Sequence, residues 1–367
     1  MKILFPLSLP LFIAALFVPE AAGDPWHTAA PDRTITFPRD HYVHEGFRTE
    51  WWYFVGNLEN AKGQRFGYQL TLFRRGVRPP GSEPSQSKFV RDWFAFAHYA
   101  LSNLSGKQYW HDQTIVRGGF GEAQFPAAGQ LVARIENAVV ERLDDGHWRI
   151  AAEADSFGYD LTLITERGPV LQGKSGYSQK AAGAHQASMY YSIPRLRTEG
   201  TIRIGDQVET VTGLSWLDRE WASNQLAEDQ AGWDWFSLQA EDGSDLMLYQ
   251  LRKKEGATDP YSKGLWWPTE GDPKVLKYPA YRLEPLEWWK SDDGKARYPI
   301  AWQVTIPGES MEFQVRAALK DQELRLDPVR YWEGAVTFEG KRKDQPFRGR
   351  GYLEMTGYAD ALTPLSR

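Results

Sequence analysis

The chain has 367 residues, long enough for two domains that each bury a core, and its 43 Lys and Arg against 48 Asp and Glu give a net charge of −5. Both signs are scattered and no basic patch stands out, which excludes a nucleic-acid partner. The absence of cysteine excludes disulfides, thiolate catalysis and Cys-ligated zinc, whereas 16 Trp, 17 Tyr and 18 Phe indicate β structure with aromatic-lined cores or cavities.

Residues 1–23 have the pattern of a cleaved signal peptide. Lys2 supplies the positive charge, residues 3–18 form a short apolar run, and residues 21–23 form a small-residue cleavage site. The run is too short, and too interrupted by proline, for a membrane span. We therefore predict a mature chain that begins near Asp24, does not span the membrane, and is secreted or periplasmic. Export without disulfides favours a bacterial periplasm.

The rest of the chain has many short strand-like segments, and helical periodicity is almost absent. Residues 50–75 are predicted to form a hairpin around Gly63, and a Pro-rich excursion over residues 259–285 interrupts the second half. The other strand candidates are residues 94–101, 129–142, 148–154, 159–165, 190–194, 200–204, 208–217, 233–241, 245–252, 300–306, 313–317, 331–338 and 349–356. This spacing predicts an all-β protein made of antiparallel barrels or sandwiches.

Repeated segments indicate that one architecture is used twice in tandem. Residues 51–54 return as residues 233–236, each followed by a glycine turn and an apolar strand. Near the end of each half, residues 199–205 return as residues 333–340, so that Glu199 is matched to Glu333, and Asp218 is matched to Glu354.

The seam between the repeats falls within residues 222–232. We predict a signal peptide over residues 1–23, an N-terminal domain over 24–225 and a C-terminal domain over 226–367. Each half then has about the size of a barrel that holds one small ligand.

Several ordered motifs carry a resemblance to a known family. They are Arg48-Thr-Glu50-Trp-Trp-Tyr-Phe-Val-Gly-Asn57-Leu, Phe96-Ala-His98-Tyr, Ser188-Met-Tyr-Tyr-Ser192, Trp216-Leu-Asp218-Arg-Glu-Trp221, Gly232-Trp-Asp-Trp-Phe236 and Tyr331-Trp-Glu-Gly334. Over residues 41–358 the chain resembles the carotenoid 1,2-hydratase (hydroxyneurosporene synthase) family, in particular its exported, AttH-like branch, often labelled "predicted secreted hydrolase". The resemblance implies two tandem lipocalin-like antiparallel β-barrels.

The resemblance also implies a chemistry, in which a carboxylic acid protonates an unactivated alkene and water captures the tertiary cation. Asp218 matches the position of that acid. A carboxyl group in an apolar pocket stays neutral at working pH because burial raises its pKa. The alternative is that Asp218 forms an ion pair with an arginine or faces solvent. Carotenoid hydratases act inside the cell on membrane-dissolved carotenes, so an exported relative is expected to meet a different ligand.

Five aromatic residues are predicted to contact the ligand. Trp216 and Trp221 would form walls beside Asp218, and indole faces stabilise a developing cation. Phe96 and His98 lie on one face of an alternating segment, which we expect to point into the first barrel, and Tyr53 belongs to the repeated aromatic segment. Core packing is the alternative for each of them, with His98 a satisfied core histidine.

No cofactor or metal is predicted. His41 and His44 are three residues apart, but no third ligand follows at a telling spacing. Arg48 and Glu50 are expected to form a structural pair, with the arginine over a Trp face. Serine hydrolysis is disfavoured because no nucleophile-elbow motif is present.

The sequence thus favours a lipocalin-like protein that binds a hydrophobic small molecule, an isoprenoid or another lipid, with acid-catalysed hydration or isomerisation as its chemistry. If it is an enzyme, it is a hydratase or an isomerase. The alternative is a non-enzymatic carrier that works with an envelope transporter.

Overall fold

The computed structural model describes residues 25–83, 91–118, 121–183 and 185–359. Over these residues the regular structure is almost entirely antiparallel β, with two short 3-10 turns at Arg39–His41 and Pro307–Glu309. No helix in these ranges has the length and apolar character needed to cross a membrane. The predicted signal peptide, residues 1–23, and the predicted first mature residue lie outside the described residues.

Within its described residues, the first half forms one sheet of 13 strands. Its strands are β1 Thr49–Asn60, β2 Arg65–Gly76, β3 Trp93–Asn103, β4 Gln108–Val116, β5 Ala123–Gln124, β6 Leu131–Ile135, β7 Ala138–Arg142, β8 Trp148–Glu153, β9 Phe157–Thr165, β10 Val170–Leu171, β11 Tyr177–Gln179, β12 Ala187–Ile204 and β13 Gln207–Ala222. They are ordered β4-β3-β2-β1-β13-β12-β9-β8-β7-β6-β5, with β10 and β11 paired to β12. The first strand therefore lies beside the last, as a curled, barrel-like sheet requires.

The second half forms a separate sheet of 10 strands. Its strands are β14 Gln230–Ala240, β15 Asp245–Lys253, β16 Lys263–Trp267, β17 Lys274–Lys277, β18 Arg282–Lys290, β19 Arg297–Ile306, β20 Met311–Ala317, β21 Glu323–Arg325, β22 Arg330–Arg342 and β23 Gln345–Met355. They are ordered β17-β16-β15-β14-β23-β22-β20-β19-β18, with β21 paired to β22. The two barrel-like halves confirm the predicted all-β tandem fold, and the change of sheet falls between β13 and β14.

Strand alternation divides the apolar side chains among three clusters. Each half has its own core, and a third cluster lies where the halves meet. In β1, Trp52 and Phe54 point into the first-half core, whereas Tyr53 and Val55 point towards the second half. The aromatic faces of β1 and β14 meet there, with the rings of Tyr53 and Trp235 5.2 Å apart. One face of each opening strand therefore serves a core and the other serves the contact between halves.

The register shows that the halves use the same local arrangement. Strand β13 pairs with β1 so that Asp218 lies opposite Tyr53, and β23 pairs with β14 so that Glu354 lies opposite Trp235. This confirms the predicted equivalence of Asp218 and Glu354. The two acids therefore start from matching positions in two facing sheets.

One part of the repeat alignment was wrong. Counted back along each hairpin from Asp218 and Glu354, the counterpart of Gly200 is Gly340, not Gly334. A Cβ atom at Gly200 or Gly340 would lie 2.2 Å from a carbonyl oxygen of the next strand. Both positions therefore require glycine for the same close approach. The sequence match through Glu333 was offset by six residues because both segments contain Glu-Gly.

Candidate functional site

A partly open cavity lies between the two halves. It has a volume of about 120 Å³, enough for several water molecules or a small apolar group. Its walls combine polar and charged residues with nine Trp, Tyr and Phe residues: Trp51, Tyr53, Phe73, Phe96, Tyr190, Trp233, Trp235, Tyr249 and Tyr331. The expected location, inside the first barrel, was wrong, because the first-half interior is filled by its own core.

Strand β13 presents its chemistry to this cavity by alternation. Trp216, Asp218 and Glu220 face the second half, whereas the side chains between them face the first-half core. Asp218 and Glu220 line the cavity directly. The indole of Trp216 lies behind them in the contact cluster. The alternation was visible in the sequence, but only the meeting of the two halves makes this face a buried one.

Asp218 is 5% exposed and is held by three uncharged donors. Its Oδ1 accepts from the Ser192 hydroxyl at 2.5 Å and from the Trp216 indole nitrogen at 2.7 Å, and its Oδ2 accepts from the Tyr190 hydroxyl. Burial raises the pKa of Asp218 to about 7, against the three donors, which lower it, and with a further rise from Glu220. No arginine or lysine in the described ranges forms an ion pair with it. The predicted alternative of an arginine pair is therefore wrong.

The neighbouring carboxyl, Glu220, has a different environment. It accepts from the Ser188 hydroxyl at 2.5 Å and forms an ion pair with the Lys180 ammonium at 3.0 Å. Lys180 also lies over the rings of Tyr190 and Tyr249. Burial would lower the pKa of Lys180, but Glu220 and the nearby Asp218 raise it. Two carboxyls on one strand face thus have different partners: Glu220 pairs with a lysine, whereas the hydrogen-bond donors of Asp218 are all uncharged.

The second half contributes two further carboxyls, Glu333 and Glu354, which are cross-strand partners on β22 and β23. Burial raises the pKa of Glu354 to about 8, and repulsion from Asp218 and Glu220 adds to this, while the Trp233 indole lowers it. Burial and the Glu354 charge raise the pKa of Glu333 well above its ordinary value. Within the described ranges, neither residue has a cationic partner.

His98 faces the cavity rather than the inside of the first barrel, which corrects its predicted direction. Its Nδ1 lies 2.9 Å from the Tyr331 hydroxyl of the second half. Burial lowers the pKa of His98 to about 3, so the ring is neutral. Phe96 and Tyr53 also line the cavity. Their predicted role in ligand binding stays a prediction.

Trp221 does not form a wall beside Asp218 and so corrects another expectation. It points into the first-half core, where its ring stacks on His44 at 3.8 Å. The adjacent Arg219 is fully buried, lies 3.8 Å above the Trp52 ring, and pairs with Glu50 at 2.6 Å. The arginine that covers a tryptophan is therefore Arg219, not Arg48 as expected. These residues form a structural cluster on the side of β13 opposite the cavity.

Sequence reasoning did not select several residues that the fold brings to the cavity. Tyr190, Lys180 and Glu333 fall in this group. Tyr190 lies within the Ser188–Ser192 motif, and Glu333 lies within the repeat. The direction of neither side chain could be predicted without knowing that the halves are in contact. No group of three or more His, Cys, Asp or Glu in the described part of the chain is placed to hold a metal ion.

An all-β protein of two barrel-like antiparallel halves, with a cavity between them that Asp218 lines, belongs to the lipocalin-like class. The sequence profile of the AttH-like family matches residues 28–358, and the chain belongs to that family. A solved AttH structure from Nitrosomonas europaea is 36% identical, with a TM-score of 0.81 over 90% of this chain and 99% of that one. No curated protein matches the sequence.

Two more distant structures share the fold. Kievitone hydratase from Nectria haematococca is 17% identical, with a TM-score of 0.68 over 92% of this chain and 98% of that one. The structure of CghA is 12% identical, with a TM-score of 0.52 over 92% of this chain and 97% of that one. At these identities the likeness establishes the shared architecture of both halves and nothing finer.

Proposed function

We propose that this protein binds a hydrophobic alkene between its halves and adds water to it, with Asp218 as the proton donor. The observation that carries the proposal is the state of Asp218, a fully buried carboxyl with uncharged partners and a pKa of about 7. Such a group is substantially protonated at neutral pH and therefore carries a proton that it can donate to an alkene carbon. One relative of the same architecture is named as a hydratase, which supports this reaction class.

The hydrogen bonds of Asp218 indicate which oxygen carries the proton. Oδ1 accepts from two donors, one of which, the Trp216 indole, can only donate. The proton of the neutral acid therefore resides on Oδ2. The Tyr190 oxygen, which accepts from Trp235 at 3.2 Å, lies next to it and turns its hydroxyl hydrogen away when Oδ2 is protonated.

The reaction balances with only the alkene, the Asp218 proton and water. The Oδ2 proton passes to one alkene carbon, and the tertiary cation forms at the other. The faces of Tyr53 and Trp235 line the cavity and stabilise that cation through their ring electrons. Water then adds to the cation and returns a proton to the Asp218 carboxylate, which restores the acid. Loss of a proton from a neighbouring carbon would give an isomerised alkene instead.

The test is turnover in D2O of two alkene probes, geranylacetone and kievitone, followed by mass spectrometry. The wild-type protein is expected to yield an alcohol with one carbon-bound deuterium. Asp218→Asn keeps the shape but removes the proton, and should lower the rate roughly 10²–10⁴-fold. A folded Asp218→Asn protein with unchanged turnover would refute the assignment of the acid.

Binding of the probes without turnover would favour the second candidate, a non-enzymatic carrier that works with an envelope transporter. The cavity between the halves, with its aromatic residues, supports either role. We also propose export to the periplasm or the outside, on the pattern of residues 1–23. That location supports a ligand other than a carotene dissolved in the inner membrane.

A further inference from the structure

We propose that Glu333, Glu354 and the Tyr53 hydroxyl form a subsite that binds an uncharged oxygen acceptor of the ligand, such as a ketone or ether oxygen. The inference deepens the proposed function, because it rests on the same cavity and names the class of ligand that the cavity accepts. The ligand would then carry an oxygen near its reacting double bond.

The first observation is an unsatisfied polar group aimed into an apolar space. Glu333 is completely buried and lines the cavity, and neither of its carboxyl oxygens makes a hydrogen bond of normal geometry to a described residue; the hydroxyls of Tyr53 and Tyr331 lie close enough to lower its pKa. The hydroxyl of Tyr53, 5% exposed, likewise makes no hydrogen bond of normal geometry in the described part of the chain. Native proteins rarely leave buried polar groups unpaired, so such groups point to a missing partner.

The second observation concerns charge. Glu333 and Glu354 lie side by side on β22 and β23, and no cation in the described ranges neutralises them. Two adjacent buried carboxyls cannot both ionise. Burial raises the pKa of both, to about 8 for Glu354 and well above the ordinary value for Glu333. At neutral pH Glu333 is therefore a carboxylic acid whose O–H group can donate.

The complement to these groups is an acceptor. A protonated Glu333 and the Tyr53 phenol both donate, and leaving a buried donor unsatisfied costs about 1–3 kcal/mol. A ligand ketone or ether oxygen satisfies them, whereas a pure hydrocarbon does not. A carboxylate ligand is disfavoured because it would lie beside the carboxyls of Glu333 and Glu354, and the ammonium of Lys180 is already paired with Glu220.

The subsite adjoins the proposed acid. Tyr53 is the cross-strand partner of Asp218, and the charge of Asp218 contributes to the raised pKa of Glu354. A ligand oxygen at Glu333 and a double bond at Asp218 are thus a short distance apart on one molecule. This arrangement fixes which end of an alkene approaches the acid.

The experiment measures dissociation constants by quenching of tryptophan fluorescence with three probes of one skeleton. They are geranylacetone, the hydrocarbon in which CH2 replaces its carbonyl, and geranylacetic acid. At pH 7 the ketone should bind about tenfold more tightly than the hydrocarbon, the effect of one hydrogen bond, and more tightly than the acid. Equal binding of ketone and hydrocarbon, tightest binding of the acid, or no binding of any probe would overturn the proposal.

Two variants of one residue test the donor itself. Glu333→Met removes it and should abolish the preference for the ketone, whereas Glu333→Gln keeps a donor and should retain the preference. A pH high enough to ionise Glu333 should remove the preference in the wild type, whereas the preference should persist in Glu333→Gln. Glu339→Met, on the exposed part of the same strand, is the matched control and should behave as the wild type. A Glu333→Met protein that still prefers the ketone would refute the subsite.

The outcomes separate this inference from the hydration chemistry. Asp218→Asn should lose turnover but keep the ketone preference, because Asp218 is not part of the subsite. Turnover without a ketone preference would overturn the subsite alone. A ketone preference without turnover would support the subsite and contradict the proposed hydration reaction.

Discussion

Comparing the pH dependence of stability of Asp218→Asn with that of the wild type measures the free-energy cost of ionising the buried Asp218 carboxyl. The groups that face Asp218 are Tyr190 on β12, Glu220 on β13, Glu354 on β23 and the Lys180 ammonium. Burial raises its pKa from 3.8 to about 7. A rise of this size is worth about 4 kcal/mol, at about 1.4 kcal/mol per pH unit.

The sign follows from proton uptake. The folded state holds the Asp218 proton up to about pH 7, whereas the unfolded chain releases it near pH 3.8. Between these values the folded wild type binds more protons, so its free energy of unfolding falls as pH rises. Asp218→Asn has no such loss. Relative to the wild type, the variant should gain about 4 kcal/mol between pH 4 and pH 8.

The assay is denaturant unfolding of both proteins at a series of pH values. The control is Glu50→Gln, because Glu50 is also buried but pairs with Arg219 at 2.6 Å, and its pKa is lowered to about 2. That variant removes the charged partner of Arg219 and should lose roughly 3–5 kcal/mol near neutral pH. A constant difference between wild type and Asp218→Asn across pH 4–8, or a loss like that of the control, would refute the reading of Asp218 as a desolvated acid.

Two more predictions concern the first half and the chain terminus. Glu50→Gln leaves the buried Arg219 unpaired and should cost roughly 3–5 kcal/mol at pH 7. Arg219 and its neighbours lower the Glu50 pKa to about 2 despite its burial, so this stability is present above pH 4.5 and lost as pH falls through 2. Unfolding curves of the two proteins at pH 7 and pH 2 check this. Intact-mass measurement of protein exported by a bacterial host should give a chain that begins near Asp24, and retention of residues 1–23 would contradict the signal-peptide prediction.

Most of the strands could be predicted from the sequence. Alternation of apolar residues and regular turns predicted a hairpin over residues 50–75, and strands β1 and β2 confirm it. Strand β4, Gln108–Val116, was missed because its side chains are largely exposed or half-buried and give little apolar alternation. Strand β12, Ala187–Ile204, was predicted as two pieces, since a bulge between Ile193 and Leu196 breaks the pattern.

The site was harder to predict for a physical reason. The faces of β13 were both mixed in character, so alternation alone could not assign an inside and an outside. Burial of the Asp218 face comes from β14 and β15 of the other half, and no local pattern reports that contact. The predicted side-chain directions of Trp221 and His98 were wrong for the same reason, since each side chain has an aromatic environment on the face opposite to the one predicted.

The duplication itself explains why the acids are where they are. A strand that closes a barrel-like sheet must turn one face to the core, and only its other face remains for chemistry. In a single half that outer face would be in water, and a carboxyl there would ionise with an ordinary pKa. Two such halves placed face to face remove water from both outer faces at once, which raises the pKa of Asp218 and of its counterpart Glu354 together. The acid chemistry therefore depends on the contact between the halves, and a mutation that separates the halves should return Asp218 to an ordinary carboxylate without touching it.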